Sequence, residues 1–270
     1  MIEFRTDSKW RMLLLLAIAV VFRLNPASPT AEAAPGDIYC VASDGDDSNP
    51  GTIDQPWRTI QKAANSIGAG DTVYVKQGVY SEQVFIASSG TESSPIAFIG
   101  LNYPTVESGQ WTGISITGSH VLVQGFELRD ATAFGIVILA PNVVVKDNII
   151  HHNYHEGIRV SHPASNVLIK GGKICDNGGG NSVGLWIEGA VNDLTVEDVE
   201  FYSTGVQAYA INAWEADDSS RLTLRNLFIH DHPSYGASIF VDSDATLTAV
   251  LTHVHVVGGS VPKKLDSVVM

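Results

Sequence analysis

The sequence predicts an all-β solenoid of short stacked strands, opened by one brief capping helix. Three observations lead there. From residue 118 onward the chain repeats itself in units of about 22 to 29 residues. Each unit holds three short pieces of alternating apolar and polar residues, separated by Asn, Gly, Asp or Ser turns. No 3.6-residue apolar period spans even two helical turns, which excludes helical repeats.

The elements follow in chain order. Lys9 and Arg11 precede an unbroken apolar run, Met12 to Phe22, and Ala31-Glu32-Ala33 follows in a Pro- and Ala-rich stretch. A basic flank, an apolar core and a small-x-small site are the parts of a secretory signal, so residues 1–33 read as a cleaved signal peptide. The run is shorter than the ~20 apolar residues of a membrane span, and the alternative is an uncleaved N-terminal anchor. Residues 34–270 then form one exported domain, with no membrane association after cleavage.

Residues 37–95 read as a cap and first coils. Thr59 is placed to cap a short amphipathic helix, Ile60 to Ile67, that Gly68 ends. Laid across the open end of the solenoid, this helix would cover an edge otherwise free to pair with another chain. Asp44, Asp46 and Asp47 in SDGDDSNPG read as turn chemistry, with a bound Ca²⁺ as the alternative.

Residues 118–257 read as the regular coils, starting GSHVLVQGFELRDATAFGIVILA at Gly118 and PNVVVKDNIIHHNYHEGIRVSH at Pro141. Further copies start at Ser165, Val191 and Ser219, and a partial one runs through Leu247–Val257. In the second unit the strands are Val143–Lys146, Ile149–His151 and Ile158–Ser161. Such a unit cannot bury its inner face alone; stacked ~4.8 Å apart, copies make a continuous core. Asn148 and Asn153 sit at turns where a side-chain amide can bond the next coil. A β-sandwich also has many short strands, but does not explain the matched unit VxVxxNxIxxN…GIxV. The end, VPKKLDSVVM, carries no obvious C-terminal cap, so the expectation is a solenoid that continues or docks there.

Composition bounds the partners. The 270 residues carry 16 basic and 29 acidic side chains, a formal charge of −13. Loss of residues 1–33 removes Arg5, Lys9, Arg11 and Arg23 with Glu3, Asp7 and Glu32, leaving 12 basic against 26 acidic residues, or −14. With 44% hydrophobic residues this is not a disordered chain, and its acidity argues against nucleic acid or anionic lipid as partner. Two cysteines exclude a disulfide scaffold or a Cys-rich zinc site; export makes a Cys40–Cys175 bridge chemically possible, and no spacing brings the two together. The oligomeric state is not legible.

The repeats resemble the right-handed parallel β-helix superfamily over residues 37–257. The segment Ile38–Tyr80 is similar to the cap that opens secreted polysaccharide lyases of the pectate-lyase-like and chondroitinase-B-like groups. The resemblance implies a polysaccharide partner and a substrate groove on the strand that follows the variable loop. Aligning Gly135, Gly157, Gly184, Ala210 and Gly236 places Val137, Arg159, Trp186, Asn212 and Ser238 in one outward column. Two residues on come Leu139, Ser161, Glu188, Trp214 and Phe240.

Indole rings stack on sugar rings while polar neighbours orient hydroxyls, so Trp186, Trp214 and Asn212 are substrate-binding candidates; burial of the indoles under a loop is the alternative. In β-elimination an enzyme neutralises a uronate carboxylate and removes the proton on carbon 5. Relatives of this fold use Lys or Arg as base and often Ca²⁺ as neutraliser. Arg159 is accordingly the candidate base, with His155, Glu156 and Glu188 as catalytic neighbours and Lys173 as a second cation. A surface ion pair of Arg159 with Glu156 or Glu188 is the competing interpretation.

Departures from the family patterns are equally legible. Where pectate lyases carry Asp-Asp-Gly-x-Asp for Ca²⁺, this chain has His155-Glu156-Gly157-Ile158-Arg159. The Glu-x-Glu pair of the chondroitinase-B pattern is missing from the groove strand, and Ser161-His162-Pro163 keeps only the His of its Arg-His-Gly. His151-His152-Asn153-Tyr154-His155 reads as turn histidines, with a transition-metal site as the alternative. Glu188 and Glu215, from neighbouring coils, would serve a glycoside hydrolase, whose carboxylates stand about 5 to 9.5 Å apart. The expectation is a secreted, polysaccharide-active β-helix, lyase-like, with hydrolase and non-catalytic binding module as alternatives.

Overall fold

The structure is a computed structural model. It describes residues 36–178, 183–203, 209–214, 221–231, 239–242 and 248–257, with the side chains of 240–242 and 248–251 outside the description. The signal-peptide assignment therefore falls outside the described residues, as do Glu215 and Ser238.

Strand, turn and strand recur as the repeats require, and every strand pair is parallel. One sheet has seven strands, stacked in chain order: Val84–Ile86, Thr112–Ile116, Phe134–Ile138, Ile158–Ser161, Val183–Glu188, Tyr209–Trp214 and Ile239–Asp242. A 15-stranded sheet supplies the other two faces. Its two columns join at the strand Arg221–His230, which pairs Asn192–Glu197 through its first half and Glu200–Tyr202 through its second. The three strands expected in the second unit form with the expected bounds.

Alternation decides what is inside. Inward residues such as Ile136, Ile158, Leu185 and Ile211 stack coil on coil into one buried cluster with Phe98, Phe126 and Phe201. The corners explain much of the Asn, Asp and His content. Asp130, His152, Asp176 and Asp231 each take a left-handed conformation, as do Asp147, Asp198 and Asn226. Short polar side chains tolerate that region best. His152 is thus a corner residue, and His151 bonds Glu127 at 2.9 Å.

Asn148 and Asn153 act as the sequence implies. Asn148 accepts from Phe126 N–H (2.9 Å) and donates to the Val123 carbonyl (3.0 Å). Asn153 accepts from Ala131 N–H (3.1 Å) and donates to Asn177 Oδ1 (2.9 Å), while Asn177 donates to the Ile150 carbonyl (3.0 Å). This ladder explains the glycine ahead of the groove strands. A Cβ on Gly157 would lie 2.8 Å from Asn177 Nδ2 and 2.7 Å from Ile174 Cγ2.

The cap differs from expectation in two ways. The helix is Ile60–Ala64 and gives way to turns before Ile67, although Ile60, Ala63, Ala64 and Ile67 are all buried as its amphipathic pattern requires. The edge of the first strand, Ile38–Val41, is covered by extended chain instead of helix. Cys40 N–H donates to the Gly51 carbonyl, and Trp57 exchanges backbone bonds with Cys40 and Ala42. The helix instead plugs the core. Asp46 bonds Ser48 within its own turn, and Asp47 bonds the Arg58 and Thr59 N–H groups and the Thr59 hydroxyl. Glu82 accepts from Ile60 and Gln61 N–H at the helix start. Cys40 and Cys175 are free and buried.

Candidate functional site

The seven-stranded sheet presents the outward column that alternation implies. Val137 pairs in register with Arg159, Arg159 with Trp186, and Trp186 with Asn212. In the second column Ser161 pairs with Glu188, and Glu188 with Trp214. The last coil is a correction: Asn212 pairs with Phe240 and Trp214 with Asp242, two residues beyond the sequence alignment.

Arg159 and Glu188 form the charged centre. Glu188 Oε2 accepts from Arg159 Nη2 at 2.5 Å, from Arg159 Nε at 3.1 Å and from the Ser161 hydroxyl at 3.0 Å. The hydrogen bond from Arg159 holds the Glu188 carboxyl below the usual range, with the arginine charge and Ser161 acting in the same direction. Both side chains are partly exposed. The Arg159 guanidinium carbon also lies 5.1 Å from the Phe134 ring centroid.

Glu156 stands in the opposite state. It is 8% exposed and its Oε2 has no hydrogen-bond partner. Burial raises its pKa, against the pull of Arg159 and His155 and with the help of Glu188. One carboxyl is thus shifted toward its neutral form by burial and the other toward its ionised form by Arg159.

The indoles are neither separate nor packed away. Trp186 and Trp214 stack with centroids 6.0 Å apart and planes 26° from parallel, and Trp214 is exposed. Trp186 Nε1 and Asn212 Oδ1, on register-paired residues, are buried without partners. A donor and an acceptor left open side by side suit a group able both to accept and to donate, such as a hydroxyl. His155 is exposed, its ring 6.2 Å from Phe134 and 4.9 Å from Tyr154.

Lys173 does not join them. Its strand, Lys173–Cys175, belongs to the 15-stranded sheet, and its ammonium is held by Glu200 at 2.8 Å. The sequence placed it nearby only because it shares a unit with the groove strand. Phe134 is a contributor that motif reasoning passed over, and Ser161, already placed in the outward column, gains a role through its bond to Glu188. Phe134 precedes Gly135 as Glu156 precedes Gly157, so the repeat alignment already put it at the loop–strand junction.

Among the described residues no three His, Cys, Asp or Glu side chains converge into a donor set for a Ca²⁺ cage. Asp46 Oδ1 bonds Ser48 in its own turn, and both Asp47 oxygens bond the helix cap. The histidine segment likewise splits between a corner and an ion pair.

The model of the Pel9A-like, right handed beta helix region matches residues 39–182, just over half the chain. The chain belongs to the Pel9A-like right-handed β-helix family. Glu156, Arg159 and Ser161 lie inside the matched region, while Trp186, Glu188, Asn212 and Trp214 lie beyond it. Within the curated proteins, YwoF of Bacillus subtilis (strain 168) is 29% identical over 164 residues, 53% of this chain and 35% of that protein. Pectate lyase PEL9 of Emericella nidulans is 44% identical over 61 residues, 22% of this chain and 15% of the lyase. The chain thus spans about a third or less of these relatives' lengths. The crystal structure of pectate lyase Pel9A matches with a TM-score of 0.66 and 16% identity, covering 81% of this chain and 62% of that one. At that identity the match speaks for the Pel9A-like fold, which the strand topology bears out. Among the described residues no helix is long and apolar enough to cross a membrane.

Proposed function

We propose that the protein is exported and acts on a uronate-containing polysaccharide by lyase-like β-elimination on the face of the seven-stranded sheet. The observation that carries this is the Arg159–Glu188 pair beside the stacked Trp186 and Trp214 on consecutive coils. Family membership and the pectate lyases among the relatives support it.

The chemistry divides among four side chains. A glycan laid along the stack places a sugar ring on the indoles and its carboxylate at Arg159. The bonds to Glu188 fix the position of that guanidinium, which supports Arg159 as the group that binds the uronate carboxylate, in preference to acting as base. His155 then takes the carbon-5 proton, the C4–C5 double bond forms, and the C4–O bond breaks. Glu156, whose pKa burial raises, is the group that gives its proton to the departing oxygen. Glu188 holds Arg159 in position.

A second interpretation rests on the same carboxyls. With Glu156 shifted up and Glu188 shifted down, the two would serve as acid and base in a glycoside hydrolase if their carboxyls stand about 5 to 9.5 Å apart. One assay separates the two. The mature chain is incubated with pectate, alginate and chondroitin, and both unsaturated-product absorbance and new reducing ends are followed. Absorbance rising with reducing ends supports the lyase; reducing ends alone support the hydrolase; retained binding without product leaves a carbohydrate-binding module. N-terminal sequencing of protein recovered from the medium tests export, with cleavage expected after Ala33.

A further inference from the structure

Beside the site lies a group of rings that the proposed reaction does not use. Trp111, on the turn ahead of Thr112–Ile116, is 61% exposed, and Tyr154, on the turn one coil beyond Phe134, is 56% exposed. These are the two largest exposures among the described large hydrophobic side chains. Phe134 lies buried between them, edge-on to Trp111 at 5.5 Å, while His155 bridges Phe134 and Tyr154.

The turns carrying these rings are ordered by the same parallel hydrogen bonding as the strands. Thr132 N–H donates to the Gln110 carbonyl (2.7 Å), Phe134 N–H to Trp111 (3.0 Å), Tyr154 N–H to Ala131 (2.9 Å) and His155 N–H to Ala133 (2.8 Å). Rings on neighbouring coils are therefore held about 4.8 Å apart along the axis, a step comparable with one pyranose residue. Gln110 and Thr132 stand exposed between the coils, offering an amide and a hydroxyl. Exposing two large aromatic rings on a rigid backbone is costly unless something covers them.

We propose that Trp111 and Tyr154 form a second glycan subsite, which stacks pyranose rings of the same chain that Arg159 and the Trp186–Trp214 pair engage. The two sites are continuous, because Phe134 meets both Trp111, edge-on at 5.5 Å, and the Arg159 guanidinium, 5.1 Å from its ring centroid. The polymer then runs along the solenoid axis over at least five coils, from the turn at Trp111 to the strand ending at Trp214. Flat apolar rings with polar rims suit sugar faces whatever the charge of the sugar. This subsite rests on the polysaccharide reading given above, and it adds a dependence on chain length.

The test uses the full chain and a length series of oligouronides with the parent polymer. Wild-type affinity is expected to keep rising beyond the length that covers Arg159 to Trp214. Trp111→Ala should lose about tenfold on the long oligomers and nothing on the shortest, corresponding to the loss of one stacked ring. Trp111→Phe should restore most of it, and thermal melting should match wild type, since the side chain is exposed. A Trp111→Ala variant that binds every length like wild type, or loses equally on all lengths, overturns the subsite while leaving the polysaccharide reading intact. If Trp111→Ala instead changes the oligomeric state on size exclusion, the rings are a self-association face and the subsite is wrong. Wild-type protein that binds no oligomer refutes the polysaccharide reading itself.

Discussion

Asn153→Ala tests whether the side-chain ladder holds the coils together. Asn153 is 1% exposed and does three things at once. It accepts from Ala131 N–H (3.1 Å), donates to the His151 carbonyl (3.1 Å) and donates to Asn177 Oδ1 (2.9 Å). Alanine removes the side-chain atoms; Asn177 Oδ1 keeps the bond from the Asn153 N–H (3.2 Å), while the Ala131 N–H and the His151 carbonyl each lose one. At about 1 kcal/mol for each of these two groups, the loss is about 2 kcal/mol. For a domain of this size that corresponds to roughly 4–8 °C in Tm. The assay is urea unfolding at constant slope, compared with Arg221→Ala, which removes an exposed bidentate pair with Asp193 (2.6 and 2.7 Å). Arg221→Ala is expected to move the midpoint far less, because its bonds face water. If the two variants lose equally, or if Asn153→Leu is as stable as wild type, buried polar satisfaction is not what holds the coil corner.

The other predictions concern the site and the thiols. Glu188→Gln should cost within about 1 kcal/mol of stability, since the pair is partly exposed, yet abolish most turnover by releasing Arg159; unchanged turnover would remove the positioning role. The lowered Glu188 pKa means its stabilisation is complete above the unfolded carboxylate value, near 4.3, and is lost as pH falls through the folded value. Urea midpoints of wild type and Glu188→Gln should therefore differ at pH 7 and converge in acid. Glu156 is raised by burial, so its contribution is present below the unfolded value and is lost as pH rises through the folded one. Glu156→Gln should then be at least as stable as wild type at pH 7 while losing activity, and a clear drop in its midpoint would contradict this. Burial raises both cysteine thiols, so a thiol reagent should label neither in native protein and two in denaturant. A reductant-sensitive Tm would instead reveal a bridge.

Legibility followed periodicity. The strands of the second unit, the column Val137–Arg159–Trp186–Asn212 and the roles of Asn148 and Asn153 were readable, because a two-residue alternation locked to a repeat fixes both face and coil. Where the repeat length changes, the same logic slips, and Phe240 takes the place expected of Ser238. Lys173 was misassigned because sequence proximity within a unit says nothing about which face a strand joins. Pair geometry was open as well. Arg159 was legible as the cation of the groove face, but its two hydrogen bonds to one oxygen of Glu188, on which the proposed role of carboxylate binder rests, depend on side-chain reach between coils. The opposite shifts of Glu156 and Glu188 arise from burial of the one and the Arg159 hydrogen bond to the other, neither of which composition reports. The formal charge of −13 keeps its force, since a polyanionic glycan would have to find its attraction locally at Arg159.

The most direct measurement is the product of wild-type protein on uronate polymers, read simultaneously as unsaturated-sugar absorbance and reducing ends. The account predicts that both rise together with wild type, and that neither rises with Arg159→Ala. Reducing ends without absorbance, or an Arg159→Ala variant with wild-type absorbance, would contradict it.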